Sequence, residues 1–536
     1  MKVEKVQLSE RPLIDDYKNN FDRVEEFFTY NPYDNTSFEK RYQYIRENDY
    51  PRQEICQTLE EYNRQLGVSE KTLINIERLA NQETAVAITG QQAGVLTGPL
   101  YTLYKAMTVI QLAHDLTAKG METVPLFWIA SEDHDFYEIA GVNFLNRDYE
   151  TLEVRLESQI ERQPVGRLKP EDDIDEFLAE FEEKTIDTDF KPGMMDKIRK
   201  MARESEDLGE WFGRIMAWLL EDTGIIFVDS LDPQLRRLGR DFFNQVIDKA
   251  EEMTQTLQDT SGRLEEAGYP TQVTKNDGQQ HLFFIEDDNR YPLVKDNQDY
   301  LVRGLDQTYT LAQIREKINN KPELVSTNVI TRPLFQDFIF PTIAYVSGPG
   351  ETAYFSQYQG IYKLLDMEMP IIYPRASLTI VERTVSKAMD KYDVEPGDVF
   401  DNFDDIRQAY LDKNDEFNID ERFNEIKKNF IPEYQQLIED LRQLDSKFKK
   451  LGSKNLGQII KEIDYLKGKA HHQHRKNSEV LLNRFDKIEK NLLPKNNRQE
   501  RKLNIFPYLF KYRKNMIDDL LKLDLLSTNI HQFVYL

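Results

Sequence analysis

Between residues 84 and 130 the chain runs through a short apolar segment, a glycine-rich loop, a helix-periodic stretch and a second apolar segment. The two apolar segments, 84–89 and 124–130, are uninterrupted rather than alternating, which suits strands buried on both faces of a parallel sheet. Between them, residues 98–119 carry Leu103, Met107, Ile110 and Ala113 at helical spacing, and Gly120 ends the pattern. Strand, glycine-rich loop, helix and strand open a doubly wound α/β domain. Three further apolar runs, 224–229, 342–346 and 370–373, extend the same sheet, so the fold class is α/β.

Two insertions interrupt this core. Residues 146–205 are charged, poor in strand signals and read as helical. Residues 231–324 read as a helical half followed by a hairpin, with strands at 281–285 and 291–294 around Asp287-Asp288-Asn289. The expected organisation is therefore core over 1–145, 206–230 and 325–392, a helical arm over 393–493, and a segment 494–536 that packs back on the core. In the arm, Phe430, Tyr434, Leu437, Leu441, Leu444, Phe448 and Leu451 alternate steps of four and three, a heptad seam. A break at Gly452-Ser453 and Gly457 follows, and the seam resumes at Ile459, Ile463 and Leu466, then at Leu481, Phe485, Ile488 and Leu492. Two amphipathic arms around a glycine-bearing turn predict an antiparallel hairpin, with Pro432 in a first helical turn. The seam needs a cover, either its own hairpin or a homodimer contact.

Charge and length narrow the function classes. A net charge of −24 would repel a phosphate backbone, which argues against non-specific nucleic-acid binding but leaves room for a small anion in a locally basic cleft. No apolar run approaches the ~20 residues that cross a bilayer. Residues 1–15 are mixed and charged, unlike a secretion signal, so the cytoplasm is the expected location. The single cysteine, Cys56, rules out a disulfide within the chain and reads as an inert thiol.

Three constellations carry candidate chemistry. The first is the loop after the first strand, with Thr89, Gly90, Gln91, Gln92, Gly94 and Gly98, where glycines let backbone approach a ligand and the following helix points its N–H groups at an anion. The second is Glu132, Asp133, His134 and Asp135 at the carboxyl end of the second strand, suited to general base work, to a substrate ammonium or to Mg²⁺. The third is Ser347, Gly348, Pro349, Gly350 and Glu351 after another strand, joined at the same sheet edge by Arg375, a fork for an anion or a structural ion-pair partner. Right-handed crossovers bring the first two loops to one edge, so the cleft between 90–98 and 132–135 is the expected active site. His471, His472 and His474 read as a solvated helix face. The basic stretch 494–504 reads as an anion contact or, preferably, a docking segment.

The runs TGQQAGVLTGPLYTLYK (89–105), VPLFWIASEDHDF (124–136), IAYVSGPGE (343–351, with 331–333 before it) and MPIIYPR (369–375), and the R-Q-E-R segment at 498–501 after the arm, resemble those of the bacillithiol-synthesis cysteine ligases. The resemblance covers essentially the whole chain. It implies a Rossmann-like doubly wound core with two inserted connecting-peptide modules and a C-terminal helical coiled-coil domain. It also implies the last pathway step, addition of L-cysteine to glucosaminyl-malate. Kinship of that core with class I aminoacyl-tRNA synthetases and pantothenate synthetase implies ATP with Mg²⁺, activating the cysteine carboxylate before the glucosamine nitrogen attacks. On this reading Gly98, Tyr101, Tyr104 and Arg501 face the nucleotide, and Thr89, Gly90, Gln91, Gln92, Ser347, Gly348, Glu351 and Arg375 face substrate. Glu132, Asp133 and His134 carry catalysis, with His134 taking the amine proton; no firm protein metal site is expected, Asp133 and Asp135 being the optional Mg²⁺ ligands. The sequence departs from the class I pattern where Tyr101 and Tyr104 replace two histidines, and tyrosine carries no positive charge at neutral pH. It has no lysine-methionine-serine-lysine loop, since Val385-Ser386-Lys387 falls in a predicted helix. The alternatives are an ATP-independent transferase using an activated cysteine donor and a non-catalytic scaffold for pathway partners.

Overall fold

Five parallel strands form the central sheet of the computed structural model, which describes every residue except 158–161, 170–171, 274–277, 306 and 414–416. They are β1 (Ala85–Gln92), β2 (Thr123–Ala130), β3 (Ile226–Asp229), β4 (Thr342–Ser347) and β5 (Ile371–Pro374). Each coincides with an expected apolar run, and β4 and β5 are buried along their whole length, as continuous hydrophobicity requires. Their order is β5-β4-β1-β2-β3, with every pairing parallel. The chain leaves β1 for β2 and β3 on one side, then returns to the other side of β1 for β4 and β5. The topological switch point therefore lies between the carboxyl ends of β1 and β4. Helix α1 (Tyr101–Ala118) makes the β1–β2 crossover and buries Leu103, Met107, Ile110 and Ala113, together with one charged residue, Lys105. Helix α2 (Pro349–Phe355) starts directly after β4.

The first insertion differs from expectation at its start. Strands Gly141–Leu145 and Thr151–Arg155 pair antiparallel before the helices Asp172–Lys184 and Lys191–Glu204 begin. Val142, Phe144 and Val154 are buried, a period-2 signal too short to stand out among the surrounding charges. In the second insertion, helix Arg240–Glu266 packs against an antiparallel sheet that includes Gln279–Glu286 and Asn289–Asp296. Asp287 and Asp288 take positive φ, 47° and 61°, as a two-residue hairpin turn demands. Strand Val325–Thr327 completes that sheet beside Gln279–Glu286. The C-terminal segment packs on the core, with Leu100 N donating to Leu503 O at 2.8 Å.

The chain forms two compact units, residues 1–380 with 494–534 and residues 381–493 with 535–536. The second begins earlier than the expected 393, because helix Arg383–Tyr392 sets Tyr392 against Phe485 with ring centres 5.1 Å apart. Within this unit α3 (Ile419–Arg442) and α4 (Lys447–Asn477) form the hairpin. Its antiparallel register shows in Lys427 paired with Asp464, Tyr434 with Asn455, and Ile438 against Gly452. The turn falls at residues 443–446, not at the glycines, and α4 runs unbroken through Gly452 and Gly457. A Cβ on Gly452 would lie 2.6 Å from Ile438 Cγ1, so this glycine lets two helices approach rather than turn a chain. Pro432 lies inside α3, not in its first turn. The hairpin buries Ile438 and Leu456, whereas Leu437, Leu444 and Leu451 remain 47%, 77% and 62% exposed around the turn. Near the turn the hairpin thus uses Ile438 and Leu456 in place of the heptad residues Leu437, Leu444 and Leu451, whereas Phe430, Tyr434 and Leu441 stay half-buried.

Candidate functional site

At the end of β1 the chain has little freedom. A Cβ on Gly90 would lie 3.0 Å from the Trp128 carbonyl oxygen, so only glycine lets β1 sit this close to β2. The Thr89 hydroxyl donates to Val346 O at 2.8 Å and ties β1 to β4, so it is spent on the sheet rather than on substrate. Leu96 and Thr97 then adopt φ of 49° and 72°, followed by Gly98 at 66°. Left-handed backbone costs a non-glycine residue about 1–2 kcal/mol, and a clamp opposes that cost here. The Asn504 amide donates to both Leu96 O and Gly98 O at 2.7 Å.

Beside β1, Lys105 reaches back from α1. Its Nζ donates to Gly90 O at 2.9 Å and Gln91 Oε1 at 3.0 Å, and pairs with Glu351. Glu351 also accepts from Gly348 N and from the Tyr345 hydroxyl, each at 2.7 Å. Burial raises the Glu351 carboxyl, but Lys105, the Gly348 amide and Arg332 together keep the group below its usual range. Gln91 Nε2 donates to the Tyr101 hydroxyl at 3.3 Å. Burial pushes the Tyr101 phenol up, and the exposed Arg501 is the largest opposing charge.

The β2 end divides into an inner and an outer part. Glu132, expected to be catalytic, is 5% exposed and fully engaged. It pairs with Arg236 at 3.0 Å and accepts from the Ser326 and Thr327 hydroxyls at 2.7 and 2.9 Å, which makes it the joint between core and second insertion. Asp133 and His134 stay partly open. Asp133 accepts from Gln92 Nε2 at 2.7 Å and from His134 N at 2.8 Å, with Arg290 3.9 Å away. Burial raises its carboxyl, and Arg290, Gln92 and the His134 amide together hold it below the usual range. Burial, then Arg290, lowers the His134 imidazole, so the ring is neutral at pH 7. Its Nδ1 lies 3.0 Å from Arg290 Nη1. A guanidinium can only donate, so Nδ1 accepts and the ring proton sits on Nε2. Nε2, with no partner among the described residues, is then the donor in this tautomer, whereas the sequence reading has His134 as proton acceptor.

The expected Mg²⁺ position does not fit its residues. Both Asp133 oxygens are occupied by donors, and Asp135 caps the short helix Phe136–Ile139 by accepting from Glu138 N. Among the described residues no group of three His, Cys, Asp or Glu is disposed to hold a metal. The cleft between β2 and β3 is also closed. Val165 N donates to Asp133 O and Gly166 N to Ser131 O, both at 2.8 Å, and a Cβ on Gly166 would meet Ser131 Cβ at 2.5 Å. The side chains left half-buried, Gln91, Gln92, Tyr101, Asp133 and His134, lie on the β1 side of Asp133.

At the β4 and β5 ends, Ser347 is 1% exposed and shares a 2.7 Å hydrogen bond with the Thr352 hydroxyl. Arg375, proposed from sequence as an anion clamp or an ion-pair partner, is the latter. Its two terminal nitrogens grip Glu500 at 2.9 and 2.8 Å. Glu500 also accepts from the Ser377 hydroxyl and Leu378 N, at 2.9 and 3.0 Å. Tyr104, expected at the nucleotide, is fully buried, and that burial pushes its phenol up. The structure thus gathers Gln91, Gln92, Tyr101, Asp133, His134 and Arg501 at one edge, and retires Thr89, Tyr104, Glu132, Ser347 and Arg375 into the frame.

Family models fit the whole of this arrangement. The model described as Bacillithiol biosynthesis BshC, N-terminal Rossmann-like domain, matches residues 1–376, and that of the BshC C-terminal coiled-coil domain matches 378–536. The chain belongs to the BshC family. Relatives named "Putative cysteine ligase BshC" run nearly end to end with it. The one from Symbiobacterium thermophilum is 34% identical over 534 residues, 96% of each chain. That from Bacillus anthracis is 32% identical over 529 residues, 97% of each. That from Salinibacter ruber is 33% identical over 491 residues, 90% of this chain and 88% of its own.

Four residues of this BshC-family site escaped the sequence reading: Lys105, Arg290, Glu500 and Asn504. Lys105 had a signal, being a lone charge on an otherwise apolar stretch of α1, four residues after Tyr101 and so on its face. Arg290 had none, whereas Glu500 and Asn504 lie in the 494–504 stretch read as a docking segment, and only their partners, remote in sequence, were unreadable.

Proposed function

We propose that this chain joins L-cysteine to glucosaminyl-malate, making the amide of bacillithiol at the β1–β4 switch point. The observation that carries the reading is the full-length BshC membership together with the half-buried side chains at that point, where doubly wound folds bind ligands. Activation consumes ATP. The cysteine carboxylate oxygen attacks a phosphorus of ATP and expels pyrophosphate or ADP; the sugar amine then attacks the activated carbonyl, expels AMP or phosphate correspondingly, and gives its proton to solvent. Mg²⁺ would neutralise charge on the nucleotide phosphates, and no group of three His, Cys, Asp or Glu among the described residues would hold it. Tyr101 and Arg501 face the anionic groups, and Asp133 with Asp135 and Glu138 provides a negative rim for the incoming amine. His134 donates from Nε2 to an oxygen of the substrate.

We also infer that a second copy of this chain covers the apolar tip of the hairpin. Leu437, Leu444, Phe448 and Leu451 gather around the turn and stay exposed, and burying each would gain about 1.5–3 kcal/mol.

The test of the reaction is incubation of the purified chain with L-cysteine, glucosaminyl-malate and ATP, read by mass spectrometry of thiol and nucleotide products. Bacillithiol formed in step with AMP or ADP supports the ligase. Bacillithiol made without nucleotide consumption overturns ATP activation, and no product under any donor overturns the reaction.

A further inference from the structure

Lys105 has three N–H donors and three acceptors around it: Gly90 O, Gln91 Oε1 and the Glu351 carboxylate. The ammonium is saturated and 3% exposed, so it has nothing left to offer a ligand. It does fix the Gln91 amide, because a lysine cannot accept a hydrogen bond and only the amide oxygen can face it. Gln91 Nε2 is then the end that meets the Tyr101 hydroxyl at 3.3 Å. The phenol oxygen accepts that bond, and its own proton has no acceptor among the described residues. From these contacts we propose that Lys105, Gln91 and Tyr101 form a one-way hydrogen-bond chain that makes Tyr101 an obligatory donor to an oxyanion, carboxylate or phosphoryl, bound at the switch point. Lys105 and Gln91 are positioning residues, and Tyr101 is the group that touches the ligand. Successive donation polarises each bond, so the positive charge on Lys105 strengthens the last donor without being exposed to solvent. Glu351, bonded to Tyr345 and Gly348 N, keeps Lys105 in place.

The inference deepens the proposed reaction and rests on it for the identity of the ligand, so its test reads binding as well as turnover. Gln91→Glu changes one atom type. A carboxylate still accepts from Lys105 but cannot donate to Tyr101, so the phenol turns its proton inward. Gln91→Met breaks the chain without reversing it, and both variants leave the Lys105–Glu351 pair intact. Each is combined with Tyr101→Phe, and kcat/KM and calorimetric binding of inorganic phosphate are measured for the set. Tyr101→Phe is expected to cost tenfold or more in the wild type and less than threefold in either Gln91 variant. Gln91→Glu is expected to be at least as damaging as Gln91→Met despite being nearly isosteric. If the proposed ligase reaction fails, the phosphate affinities alone decide the chain. Additive losses, a Gln91→Glu enzyme close to wild type, or a wild type that binds no phosphate would each overturn it.

Discussion

Glu500→Gln tests whether Arg375 is part of the frame or part of the binding site. Burial pushes the Glu500 carboxyl up, but Arg375, His531 and Arg498 together outweigh it and lower the group from 4.5 to about 2. At 1.36 kcal/mol per pKa unit that difference amounts to about 3 kcal/mol of stability. Leaving one partner of a buried pair uncompensated costs a similar ~3–5 kcal/mol. The sign follows from the depressed value. The stabilisation is complete above about pH 4.5 and is lost as the pH falls from there through 2. All three tryptophans, Trp128, Trp211 and Trp218, lie in the first compact unit, so fluorescence during urea unfolding reports that unit alone. The expected result at pH 7 is a loss of about 3 kcal/mol, and the difference between variant and wild type should shrink below pH 4. Arg375→Met with Glu500→Leu removes both charges and should be less destabilised than either single change. A loss under about 1 kcal/mol for Glu500→Gln, with a raised substrate KM for Arg375→Lys, would refute the structural assignment and return Arg375 to the binding site.

His134→Gln keeps a side-chain N–H near the Nε2 position, so turnover should fall less than about tenfold, against the ~10²–10⁴-fold expected on losing a general base; a steady-state pH profile that loses an ionisation in the variant would restore the base. Leu437→Asp with Leu444→Asp should give folded monomer by sedimentation, and a dimer unchanged in mass would show that the hairpin tip is not the contact.

The strands, their burial and the glycine-rich turns were legible in the sequence because each is encoded locally. A continuous apolar run cannot face water on either side, and a turn at positive φ selects its own residues. The hairpin of Gln279–Glu286 and Asn289–Asp296 was readable for the same reason. The helical arm was readable as a periodicity, but its turn was not, since glycine serves close helix approach as readily as chain reversal and Gly452 does the former. The strand-end cluster was half legible. Gln92 meets Asp133 at 2.7 Å, as adjacent strand ends predict. The fate of Glu132 and Arg375 depended on Ser326, Arg236 and Glu500, none of them near in sequence. Arg375 finds Glu500 across 125 residues, and Asn504 finds Leu96 across 408. Local sequence decides which side chains are charged or apolar. Only the tertiary structure decides which charges consume one another and which are left facing a cleft, because a buried ion pair forms wherever the packed elements bring its partners together. Strand order was decided in the same way: nothing in the five apolar runs says that the fourth returns to the open flank of the first, and that return is what puts the switch point beside Gln91, Tyr101 and Lys105.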